Sequence, residues 1–167
     1  MIANVLKTLS KHLTNNHLTL AVAESVTAGY IQFLCSNAPE ATSFFQGGIT
    51  TYNCGQKARH LGVEPIYATE QKGVAPGISQ QMARQCCQLF NSHIGIGITG
   101  FADRALPHDG IAKAYLSVFL QERYIIDTLL LTDAASFDAV QRDFARQSLE
   151  LLNDFFEHQY KTENYGK

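Results

Sequence analysis

Two short apolar runs constrain this chain more than anything else in it: LTLAVA, Leu18 to Ala23, and HIGIGITG, His93 to Gly100. Each has the length of a strand, and neither shows the regular apolar and polar alternation of a half-solvated one. Both therefore read as strands buried on two faces. A strand covered on both faces requires a helix layer on each side of its sheet.

The neighbouring segments supply those helices. Val5, Leu6, Leu9 and Leu13 recur at helical spacing between Ala3 and Thr14, and Asn15 and Asn16 suit the end of that helix. AGYIQFLCSN follows the first strand, GQKARHLGV reads as a short helix ending at Gly62, and Ser79 is a candidate N-cap for QQMARQCCQLFN. A last helix runs from about Phe137 to His158, with Val140, Phe144, Leu149 and Leu152 on its inward face. FFQGGITTYN has β-branched and aromatic content, and its glycine pair predicts a bulge or a close backbone approach. Pro65, Gly73, Pro76 and Gly77 mark a loop, and AKAYLSVFL and YIIDTLLL around QER read as a hairpin at one side of the sheet. The predicted fold is an α/β protein, a three-layer α/β/α sandwich with a mixed sheet of about five strands. It forms one domain over residues 1–160, with 161–167 as a loose tail.

Composition fits one core: 167 residues, 46% of them apolar. Thirteen Lys and Arg against 15 Asp and Glu leave a net charge of -2, which gives no electrostatic footprint for a nucleic-acid polymer or a membrane surface. No apolar stretch reaches the length of a membrane span, and MIANVLKTLSKHLTNN is not a signal-peptide block, so the expected location is the cytoplasm. The four cysteines form no C-x-x-C pair, and adjacent Cys86 and Cys87 would need strained geometry to bond each other, so reduced thiols are expected. The six histidines show no metal-ligand spacing, and a homo-oligomer is left open.

Function is concentrated where strands end. In open α/β sheets ligands gather beyond the carboxyl ends of strands. Three such ends here carry hydroxyls or glycines: Ser25, Thr27 and Gly29; Thr50, Thr51 and Tyr52; Thr99 and Gly100. They could converge on one pocket. Each also has a plainer reading: Ser25 or Thr27 as an N-cap, Tyr52 as a half-buried strand aromatic, Lys57 as a surface charge, and Thr99 with Gly100 as an ordinary strand exit.

LAVAESVTAGYI, GGITTYNCGQKARHLGV and GIGITG, in that order, resemble the CinA C-terminal domain family, which includes nicotinamide mononucleotide amidohydrolases. The resemblance covers about residues 3 to 120. Carried over, it implies Ser25 as nucleophile, with Lys57 as its base and Tyr52 as an orienting or relaying group. It also implies substrate contacts from Glu24, Thr27, Gly29, Gly48, Asn53, Thr99 and Gly100. The implied reaction releases ammonia from the carboxamide of a nucleotide, a small-molecule partner, and needs no metal or organic cofactor.

The chain departs from the family pattern in three places. Ala28 stands where the family has glycine and Val26 where it has cysteine. TGFADRALPHDG replaces a glycine-rich loop, so Asp103 would repel a phosphate unless Arg104 offsets it, which makes Arg104 the expected phosphate donor of that loop. In the last helix Phe137 and Gln141 occupy positions where the family commonly has arginine. The alternative function is a non-catalytic relative that binds a nucleotide or a partner protein.

Overall fold

The computed structural model describes residues 2–103, 110–158 and 160. Five strands, β1 (Leu20–Glu24), β2 (Phe45–Thr50), β3 (Ile94–Phe101), β4 (Ala112–Leu120) and β5 (Arg123–Thr132), form one sheet in the order β2-β1-β3-β4-β5. β1 runs parallel to both β2 and β3, and the β3–β4 and β4–β5 pairs are antiparallel, so the sheet is mixed and the last three strands form a meander. Seven helices among the described residues flank it: α1 (Ile2–Asn15), α2 (Tyr30–Ser36), α3 (Ala41–Phe44), α4 (Cys54–Leu61), α5 (Pro65–Glu70), α6 (Pro76–Phe90) and α7 (Phe137–His158).

Strand alternation sorts the core into two layers. Leu20 and Val22 of β1 join Leu9 and Leu13 of α1 and Val140 and Phe144 of α7 on one face. Ala21 and Ala23 join Leu61 of α4 and Ile78 and Met82 of α6 on the other. β3 shows why its sequence alternates isoleucine with glycine. Ile94, Ile96 and Ile98 fill the first face, whereas a Cβ on Gly95 would lie 2.0 Å from Ala83 O and one on Gly97 2.2 Å from Ser79 O. Helix α6 therefore rests directly on the backbone of β3, and a side chain at either glycine would push it off.

Both features expected of the glycine pair are present. The β1–β2 register shifts between Leu20 and Ala21, whose partners are Phe45 and Gly47, and a Cβ on Gly48 would meet Val22 O at 2.6 Å. Two sequence expectations are corrected. Pro65 and Pro76 do not lie in a loop: each opens a helix, where the missing N–H costs nothing and the fixed φ suits the first turn. Ser79 is not an N-cap: Ala75 holds that place, and buried Ser79 donates to Pro76 O (2.9 Å) and pairs with Ser117 Oγ (2.9 Å). No helix among the described residues is long and apolar enough to cross a membrane. All four cysteines are free.

Candidate active site

The register of the parallel strands brings the hydroxyl-bearing ends together. Glu24 pairs with Thr50 on one side and with Ile98 on the other. One residue further on, Ser25 N donates to Ile98 O (3.1 Å) and Thr51 N donates to Glu24 O (2.8 Å), so Ser25, Thr51 and Thr99 lie side by side at the sheet's edge.

The turn after β1 is held from below by Glu24. This carboxylate is fully buried, and it accepts N–H bonds from Gly29 (3.0 Å), Ile31 (3.1 Å) and Gln32 (2.9 Å), the unpaired donors at the start of α2. Glu24 therefore does what an N-cap does, from the strand rather than from the cap position. Ser25 is released from that role. Gly29 occupies the N-cap position with φ 103°, and Ala28 before it has φ 51°, a left-handed conformation in which a methyl group costs about 1 kcal/mol. From α7, Gln141 Nε2 donates to Val26 O at 2.8 Å and fixes the turn from the other side. The N–H groups of Val26 and Thr27 make no hydrogen bond among the described residues.

Lys57 reaches this turn from α4. Asn53 caps that helix by accepting from Gln56 N (3.0 Å), which aims Lys57, one turn in, at the sheet. Its Nζ donates to Ser25 Oγ at 2.8 Å and to Thr51 O at 3.1 Å. Only 2% of Lys57 and 5% of Ser25 is exposed. Burial without a carboxylate partner disfavours the ammonium and brings its pKa down to about 8, a fall that the nearby Cys54 thiol opposes only in part.

Above this pair opens a cleft of about 340 Å³. Ser25, Tyr52, Asn53, Lys57, Thr99 and Gly100 of the expected set line it. Tyr52 stands at the mouth, 60% exposed, and takes no part in the Ser25–Lys57 contact. Thr99 Oγ1 donates to Gly73 O (2.6 Å) and ties the turn before α6 to the end of β3. Glu24 and Thr27 lie beneath the turn, and neither they nor Gly29 and Gly48 line the cleft. The hydroxyls of Thr27 and Thr51 are buried without a hydrogen-bond partner among the described residues. Arg104 lies outside the described residues.

The cleft also has walls that sequence reasoning missed: Lys72 and Val74 from the turn before α6, Phe101 at the end of β3, and Phe137 at the start of α7, 51% exposed. For Phe137 the available signal was its place at a position where the family commonly has arginine. Among the described residues no three His, Cys, Asp or Glu side chains are grouped as a metal ion would require.

A competence-damage inducible protein of Moorella thermoacetica is 43% identical over 90 residues, a match covering 54% of this chain and 22% of that relative's length. The match thus spans under a quarter of that longer protein. The crystal structure of a competence or damage-inducible protein from Enterobacter asburiae superposes with a TM-score of 0.85 at 22% identity, covering 93% of this chain and 98% of that one. A CinA superfamily protein from Enterobacter cloacae gives 0.84 at 22% identity, with 93% and 92% covered. These likenesses carry the fold, and the CinA C-terminal domain profile matches residues 2–156. The chain belongs to the CinA C-terminal domain family.

Proposed function

We propose that this domain is a serine–lysine amidohydrolase that releases ammonia from the carboxamide of a nicotinamide nucleotide. The observation that carries the reading is the buried 2.8 Å contact between Lys57 Nζ and Ser25 Oγ at a strand end, with burial bringing the lysine's pKa down to about 8. A surface lysine would stay charged and could accept no proton; this one becomes a base within the ordinary pH range.

The chemistry then runs on the chain's own groups. Neutral Lys57 takes the Ser25 hydroxyl proton as Oγ attacks the carboxamide carbon. The oxyanion that forms is met by the N–H group of Val26, a cleft-lining residue whose N–H has no other acceptor among the described residues. Lys57 passes its proton to the amide nitrogen, the C–N bond breaks, and ammonia leaves an ester on Ser25. Water attacks that ester, Lys57 takes the water's proton and returns it to Ser25 Oγ, and the carboxylate product departs. Tyr52 and Phe137, both exposed at the cleft, offer flat faces to the heteroaromatic ring.

Incubation with nicotinamide mononucleotide tests the reading. Ammonia and the corresponding carboxylate should appear in equal amounts. A protein that binds the nucleotide and releases neither would be the non-catalytic relative instead.

A further inference from the structure

Lys72 lines the same cleft as Ser25 but comes from a different segment, the turn joining α5 to α6. Its φ is 53°, a backbone conformation that glycine adopts freely and lysine does not. The surroundings impose it. Lys72 N donates to Thr69 O (3.1 Å), Gly73 N donates to Ala68 O (2.7 Å), and Thr99 Oγ1 donates to Gly73 O (2.6 Å), so the turn is bolted to the end of β3. This is the left-handed cap that closes α5, and it fixes the backbone of Lys72 beside the cleft.

Charge says what a lysine fixed at that place can do. Among the described lining residues Lys57 is the other ammonium, and it is committed to Ser25 Oγ and Thr51 O at the floor. Asp103 lines the cleft as well. A mononucleotide entering with its carboxamide directed at Ser25 brings a dianionic phosphate that Lys72, exposed and lining the cleft, attracts.

We propose that Lys72 is the phosphate-recognising residue of the cleft, selecting a carboxamide mononucleotide over the corresponding nucleoside. The proposal rests on the carboxamide reading for the orientation of the ligand, and its failure is separable from that of the amidase. An ammonium contacts phosphate as a point charge, so the selectivity is sensitive to salt.

Calorimetric titration with nicotinamide mononucleotide and with its riboside, at low and high salt, tests it on the wild type, Lys72→Ala, Lys72→Gly, Lys72→Arg and Arg104→Ala. Lys72→Ala should weaken mononucleotide binding by roughly 10- to 100-fold and riboside binding by less than about 2-fold, and should flatten the salt dependence. Lys72→Arg should keep most of the selectivity. Lys72→Gly should lose it as alanine does while raising Tm by about 2 °C, because glycine relaxes the turn, an outcome that a merely structural lysine would not give. The proposal is overturned if Lys72→Ala leaves mononucleotide affinity unchanged or weakens both ligands alike, if Arg104→Ala alone removes the selectivity, or if the wild type shows no preference or binds neither ligand. Ammonia release separates the two claims. Selective binding without ammonia sinks the amidase and leaves the phosphate seat, whereas equal turnover of nucleotide and riboside does the reverse.

Discussion

Replacing Ser25 by alanine should lower ammonia release by roughly 10⁴-fold or more while the fold stays in place, since the change removes the group proposed to form the covalent ester. The two halves of that expectation have separate grounds. The Ser25 hydroxyl touches Lys57 Nζ, so its loss leaves the attacking atom missing and the base with nothing to deprotonate. The structural bonds of the residue are main-chain ones: its N–H donates to Ile98 O and its carbonyl accepts from Ala28 N, and alanine keeps both. Glu24, not Ser25, satisfies the donors at the start of α2. Stability should therefore fall by only about 1 kcal/mol, the worth of one ordinary side-chain hydrogen bond. Thermal unfolding and an ammonia assay on the same preparation check it. Unchanged turnover would remove Ser25 from the chemistry.

Glu24→Ala is expected to have the largest effect on stability, about 3–5 kcal/mol, from the loss of three charge-assisted bonds and the burial of unpaired N–H groups. The Ile31 N–H is the one wholly buried donor of the three and has no route to water; Gly29 and Gln32 are partly open and lose less. Against a typical total of about 5–15 kcal/mol, this places the variant close to the edge of folding. Glu24→Gln should fall between the two. Its carbonyl still accepts, but its NH₂ group is set against a backbone donor. Urea denaturation gives the numbers, and a loss below about 1 kcal/mol would mean that water replaces the carboxylate at the start of α2.

The layer order could be read from the two apolar runs because a doubly buried strand dictates helices on both sides. The helix starts at Pro65 and Pro76 could not. Proline reads as a breaker when only the sequence is seen, yet it fits a first helical turn; at Pro65 the preceding Glu64 caps the helix by accepting from Ile66 N and Tyr67 N, whereas at Pro76 no side chain caps and the packing of α6 on β3 holds the helix. Helix α3, four residues long, is too short for any periodicity to announce it.

The site was legible in the same uneven way. The family resemblance pointed to Ser25 and Lys57, although local preference alone favoured a cap and a surface charge. The cap turned out to be Glu24, reaching its donors because β1 and α2 double back on each other. That path is a tertiary fact, and no local pattern reports it. Lys72, from the turn before α6, and Phe137, from the start of α7, join the cleft from places distant from Ser25 in sequence, and only the packing of α6 and α7 against the sheet brings them there.

The central claim is that buried Lys57 is the base for Ser25, and the pH dependence of kcat/KM for ammonia release from nicotinamide mononucleotide tests it most directly. For a base whose pKa is lowered from 10.5 to about 8, the active form is the neutral one, so it accumulates as pH rises. Below about pH 8 the rate constant should rise roughly tenfold per pH unit, and above it the curve should level off, in wild type at about pH 6.5 to 10. A profile flat across that range, or one falling as pH rises through 8, would contradict the assignment.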